Sequence, residues 1–303
     1  MFASRRSTSR TWALVSAVPV LLLVGLFAGG SPAPPGGTGA PGAGRAVQVS
    51  GSAGGPGVPA VPELSADAVG LAAERDGYRL DTAVTELPAG RAVEYPFTVT
   101  GPDGRPVTDF AVHQAEKLHF YAVRADLTGF QHLHPTMAAD GTWTAALAAL
   151  APGRWRLYAS FVPVADARQG SEIVLSRTVT VPGTSAELPL PAPAGSTTVD
   201  GFTVALRVEP KAGAHHLTAT IGRDGRPVTD LQPYLDSYAH LTAFHEGDQA
   251  LAHLHPMNEV DGDRGGPVLD FYALLGRAGN WRVFLQFRTA GQLHTAELTL
   301  HIA

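Results

Sequence analysis

The chain has 303 residues, of which 45% are hydrophobic, and a formal net charge of −5 at pH 7. This length suits two domains that each bury their own core. The negative charge, without a basic stripe interleaved with aromatic residues, argues against a nucleic-acid partner. The absence of cysteine excludes disulfides, lipid-modified cysteine and thiolate metal sites, including blue-copper centres.

Residues 1–30 have the pattern of an export signal, because three arginines precede an apolar run from Trp12 to Ala28 and small residues follow it. The segment is interpreted as a signal peptide or as an N-terminal membrane anchor, the only predicted contact with a membrane. Both interpretations place the rest of the chain outside the cytoplasm. Residues 31–61 consist mostly of Gly, Pro, Ala and Ser, which predicts a disordered tether.

The remainder of the chain is an internal duplication. The segment from Asp103 to Asp109 (DGRPVTD) recurs from Asp224 to Asp230, an offset of 121, and 13 of the 33 positions from Asp103 to Pro135 match at this offset without a gap. Short segments of alternating hydrophobicity, bounded by Gly, Pro and Asp, recur in both copies and predict seven antiparallel strands in each. The predicted fold class is therefore all-β, with two tandem antiparallel β-sandwich domains in residues 62–183 and 184–303.

Each copy contains the word His-Leu-His-Pro, at residues 132–135 and 253–256. Side chains two positions apart share one face of a strand. A two-residue hairpin centred on Gly247 and Asp248 would bring a further histidine of the preceding strand to that face, and the duplication transfers this register to the first copy. The two predicted trios are His119, His132 and His134 in the first domain, and His240, His253 and His255 in the second.

Neutral imidazole is a ligand that suits copper and zinc. Met137 and Met257 follow the two words closely, and we expect them as auxiliary ligands that would be most useful for Cu(I). The sequence leaves open whether the trios bind metal separately or share one site between the domains.

Two other interpretations fit the same histidines. They could be structural residues of a non-metal envelope module that binds a protein or glycan partner. Three histidines and a water also suit a catalytic zinc ion. However, acidic residues near the trios do not correspond between the copies, so we expect no enzyme, and a zinc hydrolase is the minor alternative.

The run from Lys117 to Pro135 (KLHFYAVRADLTGFQHLHP) and the segment from Pro233 to Pro256 resemble a group of poorly characterised bacterial exported proteins. These proteins have duplicated immunoglobulin-like or cupredoxin-like domains with His-x-His-Pro motifs and are linked to heavy metals or copper. The resemblance covers about residues 70–303. It implies two tandem immunoglobulin-like sandwiches outside the cytoplasm, secreted or tethered to the cell membrane. We therefore expect a protein that binds copper first and zinc second, for sequestration or delivery at the cell envelope.

Overall fold

The structure is a computed structural model that describes residues 70–165, 172–211 and 213–303. The predicted signal or anchor and the predicted tether lie outside these residues. The described residues form strands, turns and irregular segments without an α-helix, so they contain no helix that could span a membrane.

The first repeat contains ten strands in two antiparallel sheets. The strands are β1 (Glu74–Arg75), β2 (Tyr78–Asp81), β3 (Val93–Thr100), β4 (Phe110–Ala111), β5 (Leu118–Arg124), β6 (Gln131–Leu133), β7 (Thr136–Met137), β8 (Thr142–Leu147), β9 (Gly153–Pro163) and β10 (Ile173–Val181). One sheet has the order β1-β2-β3-β8-β7, and the other has the order β10-β9-β5-β6 with β4 beside β9.

The second repeat contains nine strands and again two antiparallel sheets. The strands are β11 (Ser196–Val199), β12 (Phe202–Lys211), β13 (Ala214–Arg223), β14 (Arg226–Pro227), β15 (Ala239–His245), β16 (His253–Pro256), β17 (Val268–Leu274), β18 (Gly279–Thr289) and β19 (Gln292–Ile302). The sheet orders are β11-β12-β13-β17-β16, with β14 beside β13, and β15-β18-β19. The prediction of two repeated all-β domains is thus confirmed.

Each repeat buries its own core between its two sheets. Phe120 and Trp155 belong to the first core, and Trp281 and Leu285 belong to the second. The tryptophans occupy equivalent positions, because each indole Nε1–H donates to a carbonyl four residues earlier, at 2.9 Å in the first repeat and 3.0 Å in the second. The two repeats therefore have locally equivalent cores.

The central strands β5 and β15 are buried on both faces. Alternate residues of β5, such as Phe120, point into the first core, and the intervening Tyr121 and Val123 belong to a third buried cluster that includes Phe244 and Phe284 of the second repeat. This third cluster, the inter-repeat cluster, packs the sheet of β5 and β9 against the sheet of β15 and β18. Its apolar burial holds the two repeats face to face.

Candidate metal site between the repeats

Three histidines from both repeats converge beside the inter-repeat cluster. His119 lies on β5, His132 on β6 and His240 on β15, and one ring nitrogen of each lies within 4.8 Å of the others. His119 and His240 are only 1% and 5% exposed. We call these residues the inner trio, and they form a candidate metal site shared by the two repeats.

The strand register predicted for the first repeat is confirmed. Tyr121 pairs with His132 and Phe120 with Leu133 in the β5–β6 ladder. The histidine face is therefore opposite the core face. His134 continues the cluster, with its ring centroid 4.8 Å from that of His132 and 5.2 Å from that of His119.

The strand pairing that was predicted to bring His240 and His255 together in the second repeat is wrong. The hairpin begins as predicted, because Phe244 bridges Leu251, but β16 then pairs with β17 in the other sheet, where His255 lies opposite Tyr272. His240 and His255 are therefore not paired as predicted, and the partner of His240 on β18 is Gln286.

The departing strand carries Leu254 to the second core, which explains why the hairpin does not continue. The side chain of His253 lies outside the described part of the structure. His255 instead approaches the first repeat, with its ring 6.2 Å from that of His113. His240 stacks on two histidines of the first repeat, with ring centroids 5.6 Å from His119 and 4.6 Å from His132.

The structure does not place the two predicted methionine ligands with the inner trio. Met137 pairs with Trp143 on β8 and packs against the first core. Met257 follows β16 and is 53% exposed. A thioether contribution from Met137 or Met257 therefore stays a prediction.

The outer ring nitrogens of two trio residues face oxygen atoms. His119 Nε2 lies 3.0 Å from the carbonyl oxygen of His113, and His132 Nδ1 lies 2.8 Å from Oε1 of Gln286. Because these oxygens only accept hydrogen bonds, both nitrogens carry the proton and donate. The neutral rings then present lone pairs on His119 Nδ1 and His132 Nε2.

These two lone pairs face each other across 3.0 Å. Two acceptors at this distance repel unless a proton or a cation lies between them. An imidazole whose outer N–H is held by a carbonyl oxygen is also the usual arrangement around a protein-bound metal, because the outer hydrogen bond fixes the tautomer. The donor set therefore fits a metal ion.

Tyr121 extends this arrangement to the second repeat. Its hydroxyl lies 3.3 Å from His240 Nε2, and its ring stacks on His132 with centroids 4.6 Å apart. Neither Tyr121 nor Gln286 could be predicted as a site residue, because both act through a contact between the repeats.

Burial keeps the cluster uncharged. It lowers the pKa of His240 to about 3 and the pKa of His132 well below its ordinary value, and it also lowers the pKa values of His119 and His134. Repulsion between neighbouring imidazolium groups adds to this effect at the inner trio. The rings are neutral at pH 7, which is the form that binds metals.

The fold and the site define a class: an all-β protein of two sandwich repeats with a buried histidine cluster at their junction. The chain belongs to the family described as Domain of unknown function (DUF8832), which matches residues 73–183 and 197–303, one match in each repeat. That description names no metal, and the metal-handling role implied by the resemblance remains a prediction. No curated protein shows a significant match to the sequence.

Similar solved structures include the FdeC adhesin of Escherichia coli, which is 17% identical over 75% of this chain and 64% of that one, with a TM-score of 0.25. This chain therefore spans less than two thirds of that structure. Domains 4–9 of the surface layer protein SbsC are 11% identical over 74% of this chain and 31% of theirs, with a TM-score of 0.21. These similarities carry no argument about function.

Proposed function

We propose that this protein binds one transition-metal ion at the junction of its repeats, with His119, His132 and His240 as ligands. Copper is the first candidate and zinc the second, and the role is sequestration or delivery at the cell envelope. The observation that carries the proposal is the convergence of three imidazole nitrogens, from two buried residues and the partly buried His132, and the outer N–H groups of His119 and His132 face carbonyl oxygens.

The choice of metal follows from the ligand atoms. Three neutral nitrogens suit Cu(II), Cu(I) and Zn(II) better than the hard cations, which prefer oxygen. Without a thioether at the inner trio, the preference for Cu(I) over Cu(II) that methionine would give is removed. The low exposure of His119 and His240 favours binding of a small ion at this site.

The second candidate is an envelope module in which the histidines only join the repeats. It rests on the orientation of one side chain. If the Gln286 amide is rotated by 180°, its NH₂ donates to His132 Nδ1, and His132 Nε2–H then donates to His119 Nδ1. Such a rotation exchanges atoms of similar size, and it satisfies these nitrogens without a metal.

Calorimetric titration of the purified full chain with Cu(II) and with Zn(II) distinguishes the metal-binding protein from the metal-free envelope module. A shared site predicts that His132→Ala and His240→Ala remove the same tight equivalent, although the residues belong to different repeats. His301→Ala is the matched control, because His301 is exposed and its Nδ1 contacts Asn280. Unchanged stoichiometry in both ligand variants, with circular dichroism unchanged, would refute the metal site.

A further inference from the structure

A tight turn in the first repeat presents two potential ligands next to the inner trio. His113 and Glu116 exchange backbone hydrogen bonds of 2.8 and 3.1 Å, and the two residues between them, Gln114 and Ala115, have φ values of 48° and 67°. Two positive φ values at the centre are typical of a type I′ hairpin turn. Residues that flank such a turn are paired directly, so the side chains of His113 and Glu116 project from one face.

The second repeat has the same turn with different residues at its ends. Tyr234 and Ser237 exchange backbone hydrogen bonds of 2.6 and 3.3 Å, and the central residues Leu235 and Asp236 have φ values of 55° and 60°. The turn therefore forms without histidine or glutamate. The ligand-type residues of the first copy are not explained by turn geometry.

Two ring nitrogens around this turn are buried without a hydrogen-bond partner, namely His113 Nε2 and His134 Nε2. Buried polar atoms are nearly always paired, and an unpaired one destabilises the fold. His134 Nδ1 lies 3.6 Å from Glu116 Oε1. The carbonyl oxygen of His113 lies 3.0 Å from His119 Nε2, and the His134 ring centroid lies 5.2 Å from that of His119. The turn and the end of β6 thus place two imidazoles with unpaired nitrogens and one carboxylate around His119.

This group is also open to solvent, in contrast to the inner trio. The side chains of His134 and Glu116 are 25% and 39% exposed, and the His134 ring lies 4.8 Å from that of His132. His255 of the second repeat lies beside His113. An ion held here would be adjacent both to water and to the buried ligands.

We propose that His113, Glu116 and His134 form a second, outer transition-metal subsite, so that the junction binds two ions per chain. The inference rests on the proposed function and adds a solvent-facing position through which an ion reaches the inner trio. The Glu116 carboxylate supplies the negative charge that offsets the repulsion between two adjacent cations. Glu116 Oε1 lies 3.6 Å from His134 Nδ1, so a shared ion on His134 Nε2 would require this partly exposed side chain to rotate.

The test compares the full chain with the double variant His113→Tyr/Glu116→Ser. This variant gives the first turn the two flanking residues of the second turn, Tyr234 and Ser237. Cu(II) is the probe, bound copper is counted by elemental analysis after desalting, and electron paramagnetic resonance reports nearby Cu(II) pairs. We expect two equivalents with dipolar broadening in the wild type. The variant should retain one equivalent without broadening, and His301→Ala should retain both.

The outcomes separate the two proposals. One equivalent in the wild type, lost in His132→Ala but unaffected by the turn variant, would overturn the outer subsite and leave the inner site standing. Loss of both equivalents in the turn variant, with unchanged thermal unfolding, would also overturn a separate subsite. No bound copper in the wild type would overturn the inner site and the outer subsite together.

Discussion

The hydrogen bond between Gln286 and His132 gives the most direct test of the metal site, because it fixes the His132 tautomer. Gln286→Leu removes the acceptor that fixes the His132 tautomer while keeping a side chain of similar size. Loss of such an outer partner lowers metal affinity by about 10–100-fold, or about 1.4–2.7 kcal/mol. The same change leaves His132 Nδ1–H buried and unpaired, which lowers the free energy of unfolding of the metal-free chain by about 1–3 kcal/mol.

Gln286→Glu is the informative partner of this variant, because a carboxylate only accepts hydrogen bonds when ionised. We expect it to retain at least the wild-type affinity for Cu(II), since a carboxylate raises the basicity of the imidazole it holds. Competition with a chelator of known affinity measures both variants. Gln286 Nε2 also lies 3.4 Å from Thr295 Oγ1. Thr295→Val is the control, because it removes this second contact of Gln286 and leaves the acceptor of His132 in place.

The metal site predicts that Gln286→Leu lowers the affinity for Cu(II) and that Gln286→Glu does not. If Gln286→Glu weakens binding as much as Gln286→Leu does, the amide presents its NH₂ group to His132. The proton of His132 would then lie on Nε2, and this nitrogen would have no lone pair for a metal.

Three further predictions concern stability and the methionines. The pKa of His240 is lowered to about 3 from about 6.5 in the unfolded chain, so its contribution to stability is complete above pH 6.5 and is lost as the pH falls toward 3. Between pH 6.5 and 4.5 the metal-free chain should lose about 2 kcal/mol from this residue, and equal urea midpoints at the two pH values would contradict this. Phe284→Ala removes a fully buried ring that stacks on Phe130 at 4.1 Å; urea unfolding should show a loss of about 3–5 kcal/mol. Met137→Leu and Met257→Leu should leave Cu(I) affinity unchanged in the chelator assay. A tenfold or greater loss of affinity would identify the methionines as ligands.

The sequence was sufficient to predict the duplication, the all-β fold class and, in the first repeat, the register of the histidine face. Seven strands were predicted in each repeat, whereas the described residues form ten and nine. Alternation decided the register, because Phe120 and Leu133 had to share the core face, and this fixed His132 on the other. The same reasoning predicted the start of the second hairpin, where Phe244 meets Leu251. These features depend on contacts between neighbouring strands, which local patterns encode.

The position of the site could not be derived in the same way. His253 begins a strand that leaves its hairpin for another sheet, and that exchange depends on packing between sheets. One signal was present, however, because Val123 is a large apolar residue on the strand face that carries His119, opposite the core face of Phe120. A strand that is apolar on both faces is buried on both, and this pattern indicated a partner surface before the structure did.

The inner trio also links the ion to the integrity of the whole chain. His132 and His240 are separated by the entire connection between the repeats, and neither repeat alone has the three ligands. A bound ion would therefore act as a cross-link that closes a loop of more than 100 residues, and closing long loops stabilises a fold by restricting the unfolded chain. Such a cross-link is reversible, so the mechanical resistance of the pair of repeats to being pulled apart would vary with the supply of the ion.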